Sequence, residues 1–403
     1  MTVRLPLGKR VVRYRRRTGR SQAAIAGLVG ISERYLSQIE NGHKTPSADV
    51  LTKLAAELGV PVAALLAEEP VPQASAPLTV APEVARALLG YGPCRTAEPV
   101  APAALRERVE NAWQTWQSSP QRFTDIADIL PALIQDTEHA VRARRRDADA
   151  TARRETLRVA ADLYGLLRSY CRRAGRLDLS LMVADRARQA AEDADDPIRI
   201  AAAAWNLGHA LLADPRGETI EEAGEVAQAA VAELRRAPAG GTPDALAMQG
   251  ALELVSVVSD ARRQRWWQAR DRLEKTAVPL AKQAGEGNVG RTVFGPTNII
   301  LHAISIEMLA GEAAEALRLA DLVDTSALAS HEREFTFTME VARCCAIRRD
   351  DAAVLVHLLR LEELSAEDLV RSPAALLMLA DLQKRARPSY RRPVDQLAER
   401  LGV

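Results

Sequence analysis

The chain has 403 residues, of which 47% are hydrophobic, 4% aromatic and 27% charged. This length exceeds what one hydrophobic core usually spans, so we expect at least two domains. The shortage of aromatic residues favours closely packed helices over sheets and predicts an all-α fold. The four cysteines form no CxxC pair, and the six histidines have neither HxxxH nor HExxH spacing. These spacings exclude the common metal and redox motifs, and we expect no metal and no cofactor.

The net charge of +1 hides an uneven distribution along the chain. Residues 1–66 carry 11 Lys/Arg against 4 Asp/Glu, whereas residues 67–403 carry 43 against 49. A small basic segment on a mildly acidic body is typical of a protein that contacts phosphate at one end. A solvated charged surface is the alternative for the run Arg15, Arg16 and Arg17 taken alone.

Signals for export or membrane insertion are missing from the sequence. The first residues, MTVRLPLGKR, lack the apolar run of a signal peptide, and nowhere do 18 uncharged apolar residues follow one another. We therefore expect a cytoplasmic protein without a membrane partner.

The first strong helical pattern is RSQAAIAGLVGISERYLSQIENG at 20–42, which Gly30 interrupts. Ser21 is a suitable N-cap for a helix over 22–29, because its hydroxyl accepts a backbone N–H that is otherwise unpaired. This helix is predicted to place three apolar residues on one side, Ile25, Leu28 and Val29. Gly30 then supplies the positive φ that ends a helix without a Cβ clash.

A second helix over 33–40 is predicted to follow at a steep angle, with Ser32 as its N-cap. Its inward residues are Leu36 and Ile39, while Ile31 fills the corner. The spacing leaves four polar residues near the N-terminus of this helix on the outward face: Glu33, Arg34, Ser37 and Gln38. A helix that enters the DNA major groove carries its base-reading side chains at this position.

This arrangement resembles the helix-turn-helix of phage repressors and Cro, the Xre-type family of bacterial DNA-binding domains. The segments that carry the resemblance are LGKRVVRYRRRTGRSQ, SQAAIAGLVGIS and ERYLSQIENGHKTPS, which match the family's first helix, its second helix with the turn, and its recognition helix with the exit. Further helices at 47–58 and 61–66 complete a five-helix DNA-binding bundle over 1–67. The resemblance implies double-stranded DNA as partner.

The resemblance also implies roles for individual residues. Arg34, Ser37 and Gln38 are the candidate base readers, since Arg34 suits guanine and Gln38 adenine. Glu33 either accepts from cytosine or stabilises the helix N-terminus. Five residues are expected at backbone phosphates: Gln22, Asn41, Lys44, Arg15 and Arg20. Arg20 stands where the family usually has an apolar residue, so either its stem packs while its head reaches phosphate, or the first helix is looser than usual.

Residues 68–103 are rich in proline and predict a linker with one short helix near 83–89. Helical patterns then continue through 104–403 with short breaks. At 200–234 and 296–323 they resemble tetratricopeptide repeats, with small residues where two helices nest. We expect a helical solenoid of five or six helix pairs over 104–403, with an irregular helical bundle as the alternative.

A solenoid of helix pairs presents a concave surface formed by the first helix of each pair. In this register the surface receives Arg172, Arg173, Trp205, Asn206, His209, Asn298 and His302, together with Ser169, Ser305 and Met308. These residues are candidates for binding a ligand, and ordinary hydrogen bonding between helices is the alternative for each of them. Asn206 suits a peptide backbone, since its amide offers both a donor and an acceptor.

Two further patterns predict structural roles. Gly285, Gly287 and Gly290 spell GxGxxG, but no strand signal precedes them, so we expect a loop between helices and not a dinucleotide site. Four tryptophans are expected in helix packing: Trp113, Trp116, Trp266 and Trp267.

The combination resembles quorum-sensing regulators of Gram-positive bacteria and, over nearly the full length, a set of actinobacterial regulators. It predicts a nucleoid-associated homodimer on a palindromic operator, gated by a peptide or small molecule in the concave surface. The alternative is a DNA-bound adaptor whose repeats recruit a partner without ligand gating. The sequence offers no nucleophile and base pair, metal cluster or paired carboxylates, so we expect no enzyme.

Overall fold

The computed structural model describes residues 7–17, 20–58, 60, 62, 65, 81–90, 98–214, 216–324 and 330–402. The chain divides into two compact units, Met1–Ala76 and Pro77–Val403. Every regular element in the described ranges is helical, which confirms the predicted all-α class. The predicted limits at 67 and 103 stay predictions, because much of 59–80 and all of 91–97, including Cys94, lie outside the described residues.

The first unit contains four helices whose bounds the structure gives: α1 (Leu7–Arg17), α2 (Gln22–Val29), α3 (Glu33–Glu40) and α4 (Ala48–Glu57). Of the predicted fifth helix, only Val62 and Leu65 are described, and both are helical. The core is built from Val11, Ile25, Ala26, Val29, Leu36, Ile39, Leu51, Leu54 and Leu65. A Cβ on Gly8 would lie 2.3 Å from the Ile39 carbonyl oxygen, so α1 approaches α3 closely only because residue 8 is glycine.

One core prediction in this unit is wrong. Leu28 was expected beside Ile25 and Val29, but its side chain is 56% exposed. Ile25 and Val29 are four residues apart and lie on the same face of α2, which packs on α3 and α4. Leu28 is about 100° away from Val29 around the helix and falls outside this stripe.

The second unit is a stack of helices. Those before the middle of the chain are α5 (Pro82–Leu88), α6 (Pro102–Ser118), α7 (Arg122–Ala127), α8 (Leu130–Ala143), α9 (Ala150–Arg173), α10 (Leu177–Asp193) and α11 (Pro197–Leu211). They continue as α12 (Ile220–Arg236), α13 (Pro243–Arg262), α14 (Trp266–Arg272), α15 (Val278–Ala284), α16 (Pro296–Ala310), α17 (Ala313–Ala320), α18 (His331–Ile347), α19 (Asp351–Val370), α20 (Pro373–Arg385) and α21 (Pro388–Leu401).

Most helices of this unit pack on the next helix in the chain, as in α9 with α10, α11 with α12 and α16 with α17. Alanine dominates these contacts, for example at positions 187, 191, 223, 227, 316 and 320, and its small side chain lets helix axes approach. The helix pairs predicted near 200–234 and 296–323 are formed as α11 with α12 and α16 with α17. Their identity as tetratricopeptide repeats stays a prediction.

The stack closes on itself. Helix α6 contacts α18, and the start of α7 contacts the end of α19. Ser365 donates its hydroxyl to the Pro120 carbonyl at 2.8 Å, and Glu367 accepts the Phe123 backbone N–H at 2.9 Å. The predicted concave surface therefore lines a partly open cavity within the second unit.

The short helix predicted in the 68–103 region is present as α5, and it packs on α8 within the second unit. The GxGxxG segment lies in the loop between α15 and α16, as predicted. Trp113 and Trp116 are buried, which confirms their packing role, whereas Trp267 is 80% exposed. Successive residues on a helix point about 100° apart, so Trp266 packs towards the core and its neighbour does not.

Among the described residues, one segment is long and apolar enough to cross a membrane, Val289–Ala310. It contains a 3-10 turn and the whole of α16, and half of it is buried inside the second unit. Asn298, Ile304 and Met308 of α16 are buried there. The packing accounts for the hydropathy of this segment as that of a core helix.

Candidate DNA-binding surface and central cavity

The corner between α2 and α3 has the caps that its sequence predicts. Ser21 accepts the Ala24 backbone N–H, and Ser32 accepts that of Tyr35, both at 3.1 Å. Gly30 has φ 77°, and a Cβ there would meet nothing within 4 Å. Glycine is therefore needed at position 30 for its backbone angle and not for space.

Helix α3 turns its apolar side inward and its polar side to solvent. Leu36 and Ile39 are fully buried, Glu33 and Arg34 are exposed, and Ser37 and Gln38 are half-buried. Within the part of the chain that the structure describes, Arg34 has no hydrogen-bond or ion-pair partner. A shallow depression on this side is lined by Ile31, Ser32, Arg34, Tyr35, Gln38 and Lys44.

Two of the predicted phosphate contacts lie at the exit of α3. Lys44 is exposed, and its ammonium lies 5.5 Å from the centre of the Tyr35 ring, a cation–π contact. Asn41 is exposed and donates its side-chain amide to the Ser37 hydroxyl at 3.4 Å. Both therefore lie on the solvent side of the unit, beside the polar face of α3.

Arg15 and Gln22, predicted at phosphates, instead hold a buried carboxylate. Glu40, the last residue of α3, is 2% exposed and accepts from Arg15 at 2.6 and 2.9 Å and from Gln22 at 2.5 Å. Arg15 also donates to the Arg20 carbonyl at 3.1 Å, and its hydrogen bond to Glu40 raises its pKa. Arg15 thus joins α1 to α3, because a buried carboxylate needs charge-assisted partners.

The role of Glu40 was not predicted from the sequence. It lies four residues after Leu36, so it falls on the inward stripe of α3, opposite Arg15 of α1. Arg20 donates to the carboxylate of Glu57 at 3.1 Å and to its carbonyl at 3.3 Å. The Arg20 side chain is 44% exposed, and these bonds place its guanidinium at the C-terminal end of α4.

The second unit contains a partly open cavity of about 970 Å³. Six of the seven predicted ligand-binding residues line it together: Arg172, Arg173, Trp205, His209, Asn298 and His302. Ser169, Ser305 and Met308 line it as well. These residues come from α9, α11 and α16, so the helix stack brings distant segments to one site.

Asn206 is the exception. It is 6% exposed and absent from the cavity wall, and its amide oxygen accepts from Nε of Arg168 at 2.7 Å. Gly165 lets it sit there, because a Cβ at 165 would lie 3.1 Å from the Asn206 amide nitrogen. The prediction that Asn206 faces a ligand is therefore wrong in this arrangement. Its role is to hold Arg168, which the sequence analysis did not single out.

A network of ion pairs connects the cavity to the closure of the stack. Arg122 is 2% exposed and binds Asp368 at 2.6 Å and Glu332 at 3.2 Å, and Glu332 also pairs with Arg173. Burial acts to raise the pKa of Glu332, but Arg173 and Arg122 hold it well below its ordinary value. The partners are 159 to 246 residues apart in sequence, so no local pattern could have identified them.

The two cavity histidines are held neutral. Burial lowers the pKa of His209 well below its ordinary value, and Arg168, Arg172 and Arg333 lower it further. Burial and Arg333 lower the pKa of His302 to about 4. The ring of His209 meets that of Trp205 edge to face, with centroids 4.4 Å apart. The cavity wall therefore combines arginine charge with neutral imidazole and indole rings.

The described residues contain no group of three His, Cys, Asp or Glu side chains placed to hold a metal ion. Cys171, Cys344 and Cys345 are buried and not in disulfides. Burial raises the pKa of Cys171 to about 12 and that of Cys344 to about 11. These thiols therefore act as small apolar core residues.

Two solved structures are similar to the chain at low identity. The structure of Bacillus thuringiensis PlcR in complex with the peptide PapR7 and DNA is 16% identical, covers 68% of this chain and 94% of its own, and gives a TM-score of 0.29. The apo form of ComR from S. thermophilus is 10% identical, covers 94% and 99%, and gives a TM-score of 0.36.

Sequence comparison identifies the family of the first unit. Residues 12–65 match the helix-turn-helix family HTH_3. A protein of Sinorhizobium fredii described as the uncharacterized HTH-type transcriptional regulator y4dJ is 37% identical over 60 residues, which are 15% of this chain and 78% of that protein. With the capped corner and the exposed polar face of α3, this chain belongs to the helix-turn-helix family of DNA-binding transcriptional regulators.

Proposed function

We propose that the protein is a homodimeric, cytoplasmic and nucleoid-associated regulator that reads a palindromic operator through α3. Its DNA affinity is controlled by a peptide or small molecule bound in the central cavity. We propose no enzymatic role. The observation that supports this proposal most directly is that the basic unit has an exposed polar face on α3, while the other unit contains a large cavity.

For DNA reading, we propose that Arg34, Ser37 and Gln38 contact base edges and that Glu33 accepts from cytosine or stabilises the start of α3. Arg34 has no partner within the described residues, so its guanidinium is available for a guanine edge. Lys44 and Asn41 are proposed at the phosphates. On the buried side of α3, Arg15 and Gln22 bind the Glu40 carboxylate, and we propose that these bonds hold α3 in position for DNA reading.

A comparison of three alanine variants tests the DNA assignment, on operators first found by mapping the protein across its own chromosome. Arg34→Ala and Gln38→Ala should each weaken cognate binding by about 1–3 kcal/mol and relax specificity at one base. Lys44→Ala should weaken binding to all DNA sequences alike and reduce the number of counterions released on binding by about one. Lys53→Ala is the matched control, because Lys53 pairs with Asp49 at 2.9 Å on α4. Unchanged operator binding in all three variants would contradict the assignment.

Ligand gating is tested by adding peptides and metabolites to the full-length protein and measuring both thermal stability and operator affinity. A gating ligand must favour one conformation, so it should change both quantities. If pull-down experiments find a partner protein while no ligand shifts either quantity, the protein is a DNA-bound adaptor and the gating proposal is wrong.

A further inference from the structure

The cavity of the second unit is lined by eight arginines and by only four Asp and Glu residues. Three of these arginines have carboxylate partners: Arg173 pairs with Glu332, Arg291 with Glu110 and Arg343 with Glu340. The remaining five have no ion pair with any residue that the structure describes. The wall therefore carries a surplus of positive charge inside the protein.

Arg172 is the clearest case of an arginine without a direct partner. Its side chain has no hydrogen bond or ion pair within the described ranges, and its Nε is buried without a partner. It stands next to Arg173 in the sequence, and burial together with Arg173 lowers the pKa of Arg172 to about 10. At neutral pH it is still a cation, half-buried in the cavity wall, and Glu332 and Asp368 offset its charge only through space, without an ion pair.

Two further arginines without an ion pair to any described residue, Arg168 and Arg333, line the same cavity. Arg168 is 2% exposed, is held by the neutral amide of Asn206 and lies 5.2 Å from the Trp205 ring centre. Arg333 donates to the Thr292 carbonyl at 2.6 Å. Arg168, Arg172 and Arg333 each lower the pKa of His209, so the positive potential of all three guanidinium groups reaches the His209 ring.

An unpaired acceptor lies in the same wall. Asn298 is 4% exposed, and its side-chain oxygen has no hydrogen-bond donor among the described residues. Buried polar groups in folded proteins are nearly always paired, so this amide and the arginines together describe an unfilled polar site. The natural complement is a molecule that brings negative charge to the arginines and a donor to Asn298.

We propose that the cavity binds an anionic ligand, whose carboxylate or phosphate oxygens pair with Arg172 and with Arg168 or Arg333 near His209. This inference rests on the proposed function, in which the cavity is the effector site. Guanidinium groups recognise planar oxyanions with two parallel hydrogen bonds, and such bonds are the strong ones inside a protein.

The test uses full-length protein without DNA and four probes: inorganic phosphate, citrate, and a short peptide with either a free or an amidated C-terminus. The midpoint of thermal unfolding is measured at constant ionic strength set with sodium chloride. Phosphate, citrate or the free-acid peptide should raise the midpoint and the amidated peptide should not. Which probe acts at the lowest concentration separates a phosphate ligand from a carboxylate ligand.

The key variant is Arg172→Gln. It should weaken binding of the active anion on the order of tenfold or more, because a charge-assisted bond is lost. It should also raise the unfolding midpoint of the ligand-free protein, because it removes a charge that no ion pair with a described residue offsets and that is repelled by neighbouring Arg173. A merely structural arginine would give the opposite sign. Arg318→Gln is the control, since Arg318 pairs with Glu315 and is 61% exposed.

Equal anion response in Arg172→Gln and the parent protein, or a lower midpoint of the ligand-free variant, would overturn the inference. So would a parent protein that responds to none of the anions. These outcomes are distinct from failure of the proposed function. If anions bind but operator affinity does not change, only the ligand control of DNA binding is wrong. If a neutral effector controls DNA binding, only the anionic site is wrong.

Discussion

The two units of this protein use arginine in opposite ways. In the first unit the charge that we propose for DNA contact is at the surface, where Arg34 and Lys44 face solvent, while the buried pair of Arg15 with Glu40 is matched. Residues 67–403 are mildly acidic overall, yet arginines without an ion pair among the described residues, such as Arg168 and Arg172, line the cavity of the second unit. The net charge of a segment therefore does not tell where its electrostatic potential is strongest.

This contrast has a physical consequence for ligands. Exposed arginines attract DNA from a distance, and salt screens that attraction within about 10 Å at 0.1 M. Enclosed arginines are screened much less, and they favour a partner small enough to enter the cavity. The same side chain thus serves a macromolecular partner in one unit and, in our proposal, a small anion in the other.

The largest expected effect comes from breaking the buried network in the second unit. Arg122→Ala should lower the free energy of unfolding of this unit by about 3–5 kcal/mol, because Asp368 and Glu332 lose a buried partner. Urea unfolding followed by tryptophan fluorescence isolates the effect, since all five tryptophans lie after residue 100. Arg318→Ala, in an exposed pair, should leave the free energy of unfolding almost unchanged, and equal losses would refute the distinction.

The next effect concerns Arg15, for which the sequence predicted a phosphate and the structure shows an ion pair. Arg15→Ala should destabilise the first unit by about 3 kcal/mol, because buried Glu40 loses its charge partner. Hydrogen exchange of peptides from α1 and α3 would measure this loss. Arg34→Ala is the matched control in the same unit and should leave exchange unchanged. The phosphate assignment would be restored if Arg15→Ala left the first unit stable and reduced the number of counterions released on DNA binding by about one.

A smaller effect is expected from His302. Its pKa is about 4 in the folded protein, below the ordinary 6.5, so the unfolded chain binds more protons between these values. The stability of the second unit should therefore fall as the pH falls from about 6.5 to about 4. His302→Gln should flatten this part of the profile of unfolding free energy against pH. His331→Gln, at an exposed position of α18, should leave it unchanged, and identical profiles in all three proteins would contradict the prediction.

Much of the DNA-binding surface could be predicted because its determinants are local. The caps at Ser21 and Ser32 and the turn at Gly30 each act within four residues, and the outward face of α3 follows from 3.6 residues per turn. Leu28 was misplaced because it lies at the edge of the apolar stripe, where only the neighbouring helices decide burial. Glu40 was missed because its partners lie 18 and 25 residues away.

For the cavity, repeat register correctly indicated which helix faces look inward, as Arg172, His209 and His302 show. It did not indicate which inward side chains bind each other. Asn206 satisfies Arg168 from 38 residues away, and this pairing depends on the close approach of α9 to α11 that Gly165 allows. The closure at Arg122 depends on a contact across 246 residues.

By itself, the sequence determined the helical class, the capped corner and the polar face that a recognition helix presents, since these features depend on backbone angles and spacing within a few residues. Only the tertiary structure decided that Arg15 joins two helices, that the solenoid closes around a cavity and that Arg172 lies there without an ion pair to any described residue. Burial and pairing of charges depend on which distant surfaces meet, and that is settled by the packing of whole helices.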